Sequence, residues 1–207
     1  MNKATANFFS WFFQPLLMAS FLSAILLWFA PSSIGAFFNN SVKLWLWLVI
    51  FLTTFVVPVI GLLIMKLTSS ISSIELPDRQ QRIVPFFLIA AFYVIAAYLM
   101  VVRLNISGTA NVIFLATAFM ILVAASITIF WKISIHSMGM AGVLGFLLAL
   151  NYEMPDSVPV WIVILWLLLT GYTMSSRLYL NVHRPAEVYV GSLFGFLVCY
   201  LSILIFI

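Results

Sequence analysis

ANVIFLATAFMILVAASITIFW, residues 110–131, contains no Asp, Glu, Lys, Arg or His. A bilayer core of about 30 Å is crossed by about 20 apolar residues in a helix. An open-edged sheet is excluded in lipid, because its unpaired backbone groups find no water there. The stretch therefore reads as a transmembrane helix, and the rest of the chain repeats the pattern. Working outward, further apolar runs cover 84–102, 43–66 and 8–30 on one side and 136–150, 158–174 and 186–207 on the other. The runs 136–150 and 158–174 are short for a crossing, so each is either tilted into a shared cavity or lengthened by its polar flank. The expected fold is an all-α integral membrane bundle of six to seven transmembrane helices, with the polar motifs clustered on one face. Residues 1–207 form a single polytopic domain, whose motif-bearing part spans about 66–191.

Composition supports this reading. Charged residues make up 7% of the chain and hydrophobic ones 65%, and the mean hydropathy is +1.23. A soluble domain carries about 25% charged residues, so a water-exposed surface is excluded. The net charge of +4 lies in short breaks between apolar runs, where it meets lipid headgroups or phosphates rather than nucleic acid. Cys199, the single cysteine, sits inside an apolar run and reads as inert. The first apolar run is too long for a signal-peptide core, and only Lys3 precedes it.

The breaks fall into two sets. Pro31 to Ser41, Leu104 to Gly108 and Asn151 to Ser157 are sparse in charge. Lys66 to Pro85 carries Glu75, Asp78, Arg79 and Arg82; Lys132 to Ser137 carries His136; Ser175 to Glu187 carries Arg177, His183 and Arg184. With seven spans, the three charged breaks follow spans two, four and six and emerge on one face. Both histidines and most arginines then share that face. Asp78 and Glu75 read as partners of the neighbouring arginines. Lys3, Lys43, Lys66 and Arg103 read as interfacial anchors, and Trp45, Trp47, Trp161 and Trp166 as belt or packing residues.

The densest polar cluster is Ser176-Arg177-Leu178-Tyr179-Leu180-Asn181-Val182-His183-Arg184-Pro185-Ala186-Glu187. Pro185 suits the first turn of the final helix, where its missing N–H costs nothing. Glu187 follows His183 by one helical turn, within reach of an imidazole nitrogen. Such a bond fixes the tautomer and frees the other nitrogen to attack or coordinate. Arg177 offers a planar, always-charged fork for phosphate oxygens.

Ser176-Arg177, His183 and Glu187 are spaced as Ser-Arg-x5-His-x3-Glu. This resembles the third motif of the type 2 phosphatidic acid phosphatase family, Ser-Arg-x5-His-x3-Asp, with Glu187 in the place of Asp. Upstream, Lys132-Ile133-Ser134-Ile135-His136 resembles the second motif, Pro-Ser-Gly-His, with Ile133 and Ile135 replacing Pro and Gly. The first motif, Lys-x6-Arg-Pro, is matched least: Arg79 and Arg82 precede Pro85, but Ser72 and Glu75 stand where its lysine belongs.

The resemblance implies a two-step hydrolysis needing neither metal nor cofactor. His183 is the expected nucleophile, Glu187 its orienting carboxylate, and His136 the acid that protonates the leaving group and then activates water. Arg177, Ser134, Arg82, Arg79 and Lys132 are the expected phosphate-binding residues. The expected partners are a phosphorylated lipid substrate and membrane lipids, with no nucleic acid and no obligate protein partner, and the expected location is a bacterial inner membrane. The departures in the first two motifs also motivate a different reading, a non-catalytic relative that binds or transports a phospholipid. Setting aside the five basic residues of the motif stretches, Arg79, Arg82, Lys132, Arg177 and Arg184, leaves Lys3 and Lys66 against Lys43 and Arg103, so charge assigns no sidedness to the motif face.

Overall fold

The structure is a computed structural model describing residues 2–35, 37–73, 76, 78–104 and 106–207. Glu75 and Asn105 lie outside the described residues. All regular elements among the described residues are helices: α1 Lys3–Phe12, α2 Pro15–Phe29, α3 Asn40–Leu67, α4 Arg79–Leu104, α5 Gly108–Phe130, α6 Ile135–Glu153, α7 Val160–Tyr179 and α8 Pro185–Phe206, with a short 3₁₀ helix Pro31–Ile34 between α2 and α3. Six of these, α3 to α8, are each long and apolar enough to cross a membrane, and α1 with α2 make a bent pair that adds a seventh if it is one span.

The expected first span, 8–30, is therefore not a straight helix. Its two halves meet at an angle of 44°. Gln14 precedes Pro15 and takes an extended backbone, φ −65° and ψ 137°, because the proline ring disfavours a helical residue before it. Helix α1 turns away at that point.

Two other expectations change in detail. Helix α4 begins at Arg79, so Arg79, Arg82 and Pro85 lie on a helix rather than in the break before it. Pro85 is tolerated because it falls near the helix start, where the carbonyl it leaves without a donor is close to water. The two short runs are both lengthened by their polar flanks: α6 continues through Asn151 to Glu153, and α7 continues through Ser176 and Arg177 to Tyr179. Local chemistry sets several other ends. Asn39 accepts from the backbone N–H of Val42 at 2.9 Å, and Ser107 from Ala110 at 3.1 Å, each as a helix N-cap.

Helix α6 is the central element. Met140, Phe146, Leu147 and Leu150 on it are fully buried. Its neighbour α8 approaches along a seam of glycines. A Cβ at Gly195 would meet the Met138 carbonyl oxygen at 2.2 Å, one at Gly145 the Phe196 carbonyl at 2.6 Å, and one at Gly191 the Ser134 carbonyl at 2.8 Å. Between membrane helices, small residues of this kind allow backbone-to-backbone packing where lipid offers no hydrophobic drive. On the other side, the Trp166 indole of α7 donates to the Met140 carbonyl at 3.0 Å. Cys199 is buried against Met120 on α5, with the two sulfurs 3.8 Å apart. An apolar cavity between α2, α3, α4 and α5 is lined by Leu26, Leu46, Ile50, Ala96 and Ile113 among others; none of its lining is a motif residue.

Long-range bonds draw the charged ends of the helices together at one end of the bundle. Arg79 of α4 reaches the last turn of α5. The N-terminus of α6 bonds the first turn of α8. Lys132 bonds the loop before α8, and Ser10 of α1 meets both α6 and α7.

Candidate active site

The loop between α7 and α8 aims His183. Helix α7 ends at Tyr179, and Asn181 takes the left-handed conformation, φ 54°, which asparagine adopts more readily than most residues. Its N–H bonds back to the Leu178 carbonyl at 3.0 Å. The chain then reverses and enters α8 with Pro185 in the first turn. The Lys132 ammonium donates to the Val182 carbonyl at 3.0 Å, tying this loop to the connection between α5 and α6.

His183 and Glu187 are both buried. Nδ1 of His183 lies 2.6 Å from the Glu187 carboxylate, which also accepts the Arg184 backbone N–H at 3.3 Å. A carboxylate only accepts, so Nδ1 carries the hydrogen and Nε2 keeps its lone pair. The longer side chain of Glu187 closes this bond without a gap. Burial holds the His183 imidazole down to about 4, and the positive charges of Arg177, Arg82 and Lys132 press the same way; the Glu187 bond pulls upward. The ring is neutral at pH 7, as a nucleophile requires.

Three cations thus converge on His183. Arg82 is buried and donates through Nε to the Leu76 carbonyl at 2.5 Å, and it feels both Glu187 and Asp78. Lys132 is half-buried; burial, foremost, and then Arg82 lower its affinity for a proton. Arg177 sends Nη1 to the Ser10 hydroxyl at 3.2 Å. Arg79 is placed differently from Arg82. It donates to the carbonyls of Thr128 and Ile129, where it caps the C-terminus of α5 and meets its dipole.

The second-motif residues join the same group. The Ser134 backbone N–H donates to the Glu187 carbonyl at 3.1 Å, and its hydroxyl pairs with that of Ser137 at 2.7 Å. Both serines are fully buried. His136 lies close enough to feel the charges of Arg177, His183 and Arg82. Its Nε2 is 3.1 Å from the Ser10 carbonyl, and a carbonyl can only accept, so Nε2 carries the hydrogen.

Of the sequence-derived residues, His183, Glu187, His136, Arg177, Arg82, Lys132 and Ser134 therefore cluster, and Arg79 faces α5. Three contributors carry no motif signal. Ser137 and Gly191 are one turn from Ser134 and Glu187 on the same helix faces, a relation that helical spacing contains. Ser10 has no such signal, because its contacts cross 126 and 167 positions of sequence.

The arrangement is a neutral, carboxylate-oriented imidazole facing three cations, with a second imidazole beside it. It suits attack on an anionic, tetrahedral centre. Residues 109–206 match the PAP2 superfamily, over the stretch that holds His136, Arg177, His183 and Glu187, in agreement with the resemblance to type 2 phosphatidic acid phosphatases. No curated protein and no solved structure matches the chain. At the coarse level, this is a multi-pass membrane protein with a superfamily match that indicates phosphatase activity on phosphate esters.

Proposed function

We propose that the protein hydrolyses a lipid phosphate monoester or a polyprenyl pyrophosphate through a phosphohistidine intermediate, in a bacterial inner membrane. The observation that carries this reading is the 2.6 Å contact between His183 and Glu187, set among Arg177, Arg82 and Lys132. The membrane setting supports a lipid as the phosphate carrier.

In the first step, the Nε2 lone pair of His183 attacks phosphorus in line with the ester oxygen. The N–P bond forms as the P–O bond to the leaving group breaks. With the anionic phosphate bound beside it, His136 carries a proton on each ring nitrogen and gives the one on Nε2 to the departing oxygen. Glu187 keeps Nδ1–H in place and stabilises the positive charge that develops on the ring. Arg177 and Arg82, with Lys132 and the Ser134 hydroxyl, hold the equatorial oxygens and their charge. In the second step, His136, now neutral without that proton, takes one from water. The hydroxide attacks phosphorus, the N–P bond breaks, and phosphate leaves with both histidines restored.

The test is inorganic phosphate release from a panel of lipid phosphates and polyprenyl pyrophosphates in detergent, with EDTA present. Release that persists in EDTA and vanishes in His183→Ala supports the reading. Full activity in His183→Ala ends it. No release from any substrate shifts the weight to lipid binding or transport, with the isoleucines at 133 and 135 and the missing first-motif lysine as the reason.

A further inference from the structure

Ser10 stands at a place that the proposed reaction needs for something else. Its carbonyl oxygen accepts from Nε2 of His136 at 3.1 Å, and its hydroxyl oxygen accepts from Nη1 of Arg177 at 3.2 Å. These are the proton destined for the leaving group and a donor meant for a phosphate oxygen. Two oxygens of one residue occupy both.

The helix that carries Ser10 is a separate element with an inward and an outward face. One face of α1 points inward, with Ala6 buried, Ser10 half-buried and Phe9 packed on Tyr172 of α7 at a ring distance of 4.4 Å. The opposite face bears Phe8, Trp11 and Phe12, exposed by 54%, 76% and 40%. Exposed aromatics on an amphipathic helix suit the headgroup level of a membrane. The bend at Gln14-Pro15 separates α1 from α2 by 44°.

We propose that α1 is a movable cover of the site and Ser10 its plug, holding with two oxygens the donors that the phosphate and leaving oxygen of a substrate take over. The inference rests on the phosphatase reading. It marks the leaving-group side of the site as the space beside His136 that the Ser10 carbonyl fills. Substrate entry requires α1 to swing away, so the uncovered fraction of the protein sets apparent affinity.

The experiment fixes the cover in place. In the full chain, Phe9→Cys and Tyr172→Cys are joined by a short bis-methanethiosulfonate linker, and phosphate release is measured before linking, after linking, and after dithiothreitol. Linking is expected to lower turnover at least about tenfold, as expected of a locked lid, with recovery on reduction. A linked protein that turns over like the unlinked one overturns the proposal. Ser10→Ala provides an independent reading that keeps α1 attached. It removes the Ser10 hydroxyl from Nη1 of Arg177, so orthovanadate should inhibit about threefold more tightly or better. Unchanged or weaker inhibition also overturns the plug. A wild type that releases no phosphate fails the phosphatase reading itself, whereas an active wild type indifferent to linking fails only the plug.

Discussion

The backbone N–H of Ser134 donates to the carbonyl of Glu187 at 3.1 Å, so the second and third motifs are joined through main chain. Ser134 precedes the first residue of α6, and Glu187 lies in the first turn of α8. The bond fixes one helix start against the other, and with them His136 and His183. It is possible because Gly191, one turn beyond Glu187, leaves room for the Ser134 carbonyl.

Gly191→Ala should separate the two helix starts. The new Cβ would fall 2.8 Å from the Ser134 carbonyl oxygen, a backbone atom that cannot step aside cheaply. A loss of about 1–3 kcal/mol is expected from such overpacking, together with lower activity. Gly171→Ala on α7 is the control, since nothing lies within 4 Å of its Cβ. Thermal unfolding in detergent checks both; equal behaviour of the two variants would contradict the role of the seam.

Arg79→Gln and Arg82→Gln should separate. Arg82 acts on His183, and its loss is expected to cost ~10²-fold in kcat/KM, the scale of one lost transition-state donor. Arg79 holds the end of α5, so its loss should appear mainly as lower thermal stability. Initial rates beside unfolding midpoints distinguish the two. Equal kinetic losses would put Arg79 back among the phosphate ligands.

Glu187→Gln keeps an acceptor for Nδ1 but removes the charge that balances the imidazolium formed on attack. A fall in kcat of about 10²-fold is expected, within the range of positioned acid–base groups. Substrate affinity should change less, because Glu187 faces the histidine and not the phosphate. A kcat within twofold of wild type would remove Glu187 from the mechanism.

The pH profile carries its own sign. His183 must be neutral to attack, and its value is held down to about 4, so the nucleophile is available above that pH. An ordinary histidine would lose activity below about 6.5. The enzyme's acid limb in kcat/KM should therefore lie near 4, apart from the substrate's own ionisation near 6. Lys132→Gln removes one of the cations that hold the ring down, so its limb should move upward. An acid limb unmoved in that variant would contradict the electrostatic argument.

Much of the bundle is legible from apolar run length, because lipid leaves the backbone few alternatives. The run 110–131 matches α5 within two residues at its start and one at its end. The start of α4 at Arg79 is misread because polar residues open that helix, whereas the run 158–174 is lengthened to Tyr179 by its polar flank, since a membrane helix does not stop where its apolar core does. The bend at Pro15 was visible as a residue but not as a break, because the apolar run continues through it. The His183–Glu187 pair follows from one-turn spacing alone. The partition between Arg79 and Arg82 does not: three positions apart on a helix, they lean to different neighbours, and only packing decides which faces the histidine. Ser10 lies beyond local pattern altogether.

The most direct measurement is to trap the phosphorylated intermediate. The purified protein is mixed with a ³²P-labelled lipid phosphate, quenched in alkali within the first turnovers, and digested for mass spectrometry. Base-stable, acid-labile phosphate on the peptide containing His183, absent from His183→Ala, is the expected result. Sustained turnover with no phosphate on that peptide, or label retained in His183→Ala, would contradict the phosphohistidine mechanism.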